Sequence, residues 1–184
     1  MNTAVSIRRC TAGDLPALGL HEPPGANIAE SFLGPQTAGD LIYATAWTGD
    51  TPHGGAVLDF RAGPVPELKH LYVHPGSRGA GVGKALCHWL EDQARLAGHS
   101  GIILGVEPGN TAARNLYEGL GYRPTGGTWT YSYEYLDAAG NRTVATETSA
   151  EFHKSLAPPA AVQARTAPGG TPPGGTLPRP LLQR

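Results

Sequence analysis

The sequence predicts a layered α/β fold in one domain, because strand-type and helix-type stretches follow one another along it in mixed order. Three observations carry that prediction. Residues 41–48 and 55–61 are apolar runs of strand length separated by turn-forming residues, which is the pattern of a hairpin. Val82, Ala85, Leu86, Trp89, Leu90, Gln93, Ala94 and Ala97 recur at helical spacing and mark one apolar stripe. A short β-branched run at 102–106 then separates that helix from a second, capped one.

Taken in order, residues 5–9 alternate apolar and polar as a first strand would, and Thr11, Ala12, Gly13 and Asp14 offer capping groups before Leu15, Leu18 and Leu20. Residues 21–40 give little periodic signal, since Pro23, Pro24, Gly25, Gly34, Pro35 and Gly39 interrupt them; 28–33 suit one or two helical turns. The hairpin follows, with its turn over 49–54, and 66–74 is the next strand. The helix of 82–97 closes at Gly98. Its neighbour at 102–106 reads as a strand buried on both faces. Asn110 caps a helix that ends near 119–121. From Tyr122 the pattern is β again: Trp129, Tyr131, Tyr133 and Tyr135 alternate with polar residues, 137–141 turns, and 143–148 returns.

The 184 residues are enough to bury a proper core. Residues 157–184 stand apart, with seven of the 17 prolines, four glycines, no acid and no aromatic, so this stretch is expected to stay extended or disordered and the folded domain to span 1–156. Without the three arginines of the tail, 11 basic residues face 15 acids, a net charge of −4. That balance argues against nucleic acid, which calls for a clustered basic face. Cys10 and Cys87 lack metal or redox spacing, the first residues have no apolar signal-type core, and no stretch is apolar enough to span a membrane. A cytoplasmic protein is the expectation, with homodimer formation left open.

Between the strand of 66–74 and the helix after it lie Arg78, Gly79, Ala80, Gly81, Val82, Gly83 and Lys84. Glycines let the backbone approach a ligand, and the helix N-terminus aims unpaired N–H groups at it, so this is an anion cradle suited to a phosphate-rich ligand. Two better-known glycine loops do not fit. A P-loop would need glycine at Arg78 and a hydroxyl at Ala85; a dinucleotide fingerprint begun at Gly79 would need glycine at Lys84. What remains is Arg-x-x-Gly-x-Gly. Further on, Asn110, Ala113, Tyr117, Gly121 and Tyr122 form the spacing Asn-x-x-Ala-x-x-x-Tyr-x-x-x-Gly-Tyr.

Together these stretches resemble the two signatures of the GNAT superfamily of acyl-CoA-dependent N-acetyltransferases, over residues 5 to about 125. The resemblance implies a GNAT fold, a central mixed, mostly antiparallel twisted β-sheet flanked by α-helices, and acetyl-CoA as co-substrate. It implies that Arg78 and the backbone from Gly79 to Lys84 hold the pyrophosphate of coenzyme A, and that Leu71, Tyr72 and Val73 take the pantetheine arm like an added strand. Asn110, Ala113 and Tyr117 belong to the same cofactor set. The activity implied is transfer of an acetyl group to a primary amine of a small molecule by direct attack in a ternary complex. The alternatives are a protein or peptide amine as acceptor, and a catalytically silent acyl-CoA-binding module.

An amine of pKa about 10.4 must lose a proton near neutral pH before it attacks, so a base is needed. By the resemblance Glu67 is that base; the other reading is a solvated glutamate at a strand edge. Tyr117 matches the general acid that steadies the departing thiolate; the other reading is a ring packed between helix and sheet. The alternating aromatics at 129–135 serve either the core or an acceptor site able to take a cation by its π faces. His70 and His74, four apart and with His88 nearby in sequence, do not supply the three or four convergent ligands a metal needs, and no metal is expected. The acceptor pocket is expected from 21–40 and 125–150.

Overall fold

Alternation along the strands sends apolar side chains to two faces of one sheet, and a pair of helices packs on part of each face. The computed structural model describes residues 5–136 and 142–157. Strands β1 (Ser6–Arg9), β2 (Leu41–Thr48), β3 (Thr51–Asp59), β4 (Glu67–Val73), β5 (Gly101–Val106), β6 (Arg123–Leu136) and β7 (Arg142–Ser155) lie in the order β1-β2-β3-β4-β5-β7-β6. Helices α1 (Leu15–Gly19) and α2 (Ile28–Ala38) cover one face, α3 (Val82–Leu96) and α4 (Thr111–Gly119) the other. On β2 the division is direct: Ile42, Ala44 and Ala46 join Leu86 and Leu90 of α3, whereas Leu41 and Tyr43 join Leu18 of α1 and Ala29 of α2. The predicted mixed, mostly antiparallel sheet flanked by helices is the observed one, and among the described strands only β4 and β5 pair in parallel.

That parallel pair is joined by α3 as its crossover, and it is short. A single register pair, Glu67 with Ile103, connects the two strands, supported by the Ile103 N–H donating to the Pro66 carbonyl at 3.0 Å. Past that rung they diverge, which leaves room at their C-terminal ends.

Several elements differ from expectation. The helix expected to be a turn or two at 28–33 runs to Ala38, through Pro35, and stops at Gly39 with φ 84°. It continues past the proline because Gln36 is tied on both sides, its amide donating to the Cys10 carbonyl at 2.8 Å and accepting from the Tyr43 N–H at 2.9 Å. The hairpin turn is only Gly49 and Asp50, so β3 starts at Thr51 and ends at Asp59; Pro52 is tolerated opposite Trp47 where the ladder shifts register. Strand β5 buries one face, with Ile102, Leu104 and Val106 under the helices, while Ile103 is half-buried and Gly105 exposed, because no helix covers that side. Strands β6 and β7 are each 14 residues long, well beyond the predicted return at 143–148. The turn at 137–141 lies outside the described residues, as does the tail beyond Ala157. Among the described residues no helix is long and apolar enough to cross a membrane.

One buried charge ties α3 to β7. Glu91 is 1% exposed and accepts from the Lys154 ammonium at 2.7 Å. Without that cation Glu91 keeps only the Arg95 guanidinium at 3.8 Å and the His88 imidazole at 3.5 Å, so Lys154→Ala is expected to cost about 1 to 3 kcal/mol in chemical denaturation. The double variant Glu91→Leu with Lys154→Met should recover most of it.

Candidate active site

Strand β4 forms a wall shared by two cavities, and a bulge in it decides which residue faces which. Lys69 lies opposite Val57 and Tyr72 opposite Gly55, so His70 and Leu71 together face the single residue Ala56. His70 takes φ 52°, a left-handed conformation that costs a non-glycine residue about 1 to 3 kcal/mol and clusters at functional sites. Before the bulge Leu68 packs into the α3-side core. After it, Leu71 and Val73 line the cavity beside α3, while His70 and His74 line the cavity beside α1 and α2, and Tyr72 borders both.

The first cavity, about 660 Å³, is a cleft at the C-terminal end of β4, between the N-terminal ends of the helices at 82–96 and 111–119. Its floor is the glycine loop. A 3₁₀ turn at Pro75–Ser77 leads into Gly79 and Gly81, with φ 76° and 81°, and Gly81 caps α3. The first helical bond runs from the Ala85 N–H to the Gly81 carbonyl, so the N–H groups of Val82, Gly83 and Lys84 have no acceptor within the helix. A second N-terminus borders the cleft, where Asn110 accepts from the Ala113 N–H at 3.0 Å and caps α4. The arrangement suits a ligand with an anionic end and a narrow arm. Arg78 donates from Nε to the Val73 carbonyl at 3.0 Å and stands 5.9 Å from the Tyr72 ring centre.

Of the residues expected to hold the cofactor, Leu71, Tyr72, Val73, Arg78, Gly79, Gly81, Val82, Gly83, Lys84, Asn110 and Ala113 line this cleft, and Ala80 and Tyr117 do not. Ser77, Ala112 and Leu116 line it without having been anticipated. Each is one position from an expected residue, and the helical repeat from Ala113 to Leu116 would have pointed to the last of them.

Tyr117 sits in the core at 6% exposure, edge-on to Tyr122 with ring centres 5.6 Å apart. Burial above all, and then the neighbouring Cys87, pushes its phenol well above the ordinary value. Cys87 is itself pushed up to about 12 by burial, then by the charge of Glu91.

Glu67 lines neither cavity. Its partner in the ladder is Asp59, and Lys69 reaches both, at 2.6 Å to Asp59 and 3.6 Å to Glu67. Asp59 also takes Arg61, and these cations hold its carboxyl low. Lys69 is therefore spent mainly on Asp59, and desolvation raises the Glu67 carboxyl above its ordinary 4.5 despite that ammonium.

The second cavity, about 530 Å³, lies between the α1–α2 layer and the β3–β4 ladder. Leu20, His21, Glu22 and Phe32 form one wall, and Tyr43, His70, Tyr72 and His74 the other. Gly55 keeps it open, since a Cβ there would stand 2.9 Å from the Tyr43 ring. Burial lowers His70 and His74, so both imidazoles favour the neutral form. Of the segments expected to build an acceptor pocket, 21–40 contributes. Trp129, from the other expected segment, donates to Glu151 at 2.8 Å and packs over Gly105; Tyr131, Tyr133 and Tyr135 lie outside the residues whose side chains are described. Among the described residues no group of three or more His, Cys, Asp or Glu side chains is arranged to hold a metal ion.

Residues 11–122 match the model of the acetyltransferase (GNAT) family. A 55-residue stretch is 38% identical to the L-methionine sulfoximine/L-methionine sulfone acetyltransferase of Salmonella typhimurium, 30% of this chain and 32% of that one, so the chain spans about a third of the length of that curated relative. Among solved structures, the ribosomal-protein-alanine N-acetyltransferase of Brucella melitensis superposes with a TM-score of 0.64 at 23% identity, covering 82% of this chain and 99% of that one. The Salmonella typhimurium protein yncA with its cofactor acetyl-CoA superposes at 0.61 with 22% identity, covering 88% and 99%. At these identities the superpositions establish the fold.

A Cβ at Gly83 would sit 3.5 Å from Leu116 and 3.6 Å from Val73, in ordinary contact, so a larger side chain there points into the cleft. Gly83→Val is expected to weaken coenzyme A binding at least about tenfold in calorimetric titration, with an unchanged helical circular-dichroism signal. Unaltered affinity would show that the cleft is not the binding site.

Proposed function

The chain belongs to the acetyltransferase (GNAT) family, and from that premise we propose that it transfers an acetyl group from acetyl-CoA to a primary amine of a small molecule, by direct attack in a ternary complex. The observation that supports this most is the pair of cavities on either side of β4, with Tyr72 bordering both and the bulge at His70 and Leu71 turning one residue to each. The donor belongs in the α3-side cleft. Its anionic end meets the N–H groups of Val82, Gly83 and Lys84 and the guanidinium of Arg78, and its arm runs beside Leu71, Tyr72 and Val73. The acceptor belongs in the cavity on the other side.

In the reaction the amine nitrogen bonds to the thioester carbon, the carbon–sulfur bond breaks, one proton leaves the nitrogen, and coenzyme A departs as a thiolate that takes up a proton. Glu67 is proposed to receive the amine's proton through water, since its carboxyl faces the same side of the sheet as Lys69 and Asp59 and is raised by desolvation. Tyr117 is proposed to donate a hydrogen bond to the thiolate. Its raised pKa keeps the O–H intact and favours that donation over outright proton transfer.

A second reading of the base rests on His70. Its imidazole borders the acceptor cavity, is lowered toward the neutral form, and is held there by a strained backbone, whereas Glu67 stands three residues away. The two readings separate by mutation. If Glu67 is the base, Glu67→Ala lowers turnover by about 10² to 10⁴ with acetyl-CoA affinity intact, and His70→Ala changes it little. If His70 is the base, the order reverses.

Titration with acetyl-CoA, followed by thiol release in the presence of amines, tests the whole reading; saturable binding without release for any amine would leave an acyl-CoA-binding module. The Glu67 carboxyl loses its base form as pH falls through a value above 4.5, so turnover should decline along that acid limb. Glu67→Gln should remove the limb. Tyr117→Phe is expected to slow turnover, and wild-type rates in that variant would return the ring to a packing role.

A further inference from the structure

We infer, on the reading of the second cavity as the acceptor site, that the acceptor is a primary amine carried on an aromatic or branched aliphatic body without a carboxylate. An amino acid would bring its carboxylate within a short reach of its amine, and among the described residues this cavity sets no lysine or arginine there to pair with it. Of its three imidazoles, burial biases His70 and His74 toward neutrality, and His21 lies against His74 with ring centres 4.2 Å apart. The cavity wall also holds a helix N-terminus, that of α2, and the chain fills that position itself. The Glu22 carboxylate accepts from the Ile28 N–H at 2.7 Å and from the Ala29 N–H at 2.8 Å. A second carboxylate brought there would meet the first with no cation between them.

Much of the remaining surface is apolar. Phe32, Tyr43 and Tyr72 present rings, and Leu18 extends the apolar wall. The exposure pattern agrees: of the six large apolar side chains that the described residues leave exposed, three, Leu20, Ile28 and Tyr72, border this one cavity. Such a grouping marks a binding surface, where scattered exposure would not. The Glu22 carboxylate and the ring faces also favour the approach of a cationic amine before it loses its proton.

Matched pairs test this directly: phenethylamine against phenylalanine, tryptamine against tryptophan, isoamylamine against leucine, each assayed for thiol release with acetyl-CoA. In every productive pair the carboxylate-free amine is expected to exceed its partner by about 100-fold in kcat/KM. Glu22→Gln removes the charge while keeping an acceptor for one N–H, and Glu22→Ala frees both N–H groups; in both the gap should narrow by about tenfold or more. Amino acids that match or outrun their amines in the wild type would overturn the inference. A gap unchanged in both variants would overturn the part given to Glu22. Saturable acetyl-CoA binding with no thiol release for either member of any pair would overturn the acceptor class and leave the donor cleft standing, whereas absent acetyl-CoA binding would remove the proposed function and the inference together.

Discussion

Strands β4 and β5 run parallel yet share a single rung, Glu67 with Ile103, and the room for the α3-side cleft follows from how little joins them. A parallel pair needs a long crossover, here α3, which must start where β4 ends. If the ladder continued, the start of that helix would be pressed against sheet, and the N–H groups of Val82, Gly83 and Lys84 would have to be satisfied there. Because the strands part, those donors open onto a cleft, and the N-terminus of α4 borders the same space after β5. The place matches the general behaviour of α/β sheets, whose ligands sit beyond the carboxyl ends of strands where the topology changes.

The bulge in β4 does the complementary work on the other face. Side chains of a strand alternate, so without an extra residue the positions after Lys69 would keep their earlier phase. The inserted residue reverses the phase: Leu71 and Val73 turn to the cleft while His70 and Tyr72 turn to the second cavity. Holding His70 at φ 52° is unfavourable, and the neighbouring ladder enforces it. Gly54 accepts close backbone approach at that place, since a Cβ there would lie 2.2 Å from the Tyr72 carbonyl oxygen.

What could be read from the sequence was what depends on near neighbours. The glycine loop, the Asn110 cap, the stripe of α3 and the Gly98 stop are local signals, and each stands where it was expected. Segment 21–40 was poorly legible because the length of α2 rests on Gln36 bridging Cys10, just past β1, and Tyr43 of β2, a contact absent from any window of sequence. The bulge left a trace that alternation alone does not decode. The apolar positions Leu68, Leu71 and Val73 are spaced three and then two apart, a slip of one residue in a period of two. Tyr117 divides the two kinds of signal: its spacing from Asn110 and Gly121 is local and legible, whereas the packing of its ring beside Tyr122 is set by the fold.

The two apolar clusters take opposite faces of the sheet. One gathers α3, α4 and their strand faces; the other gathers α1, α2, Leu41, Tyr43, Trp47 and Val57. Stability changes at sites that share no partners add nearly independently. A change of lining on the α1–α2 side therefore draws on the smaller cluster, and the donor half behind the sheet does not have to be repacked to accommodate it. The architecture separates a part that must stay fixed in order to grip one ligand from a part that is free to be retuned toward another, and β4 is the partition between them.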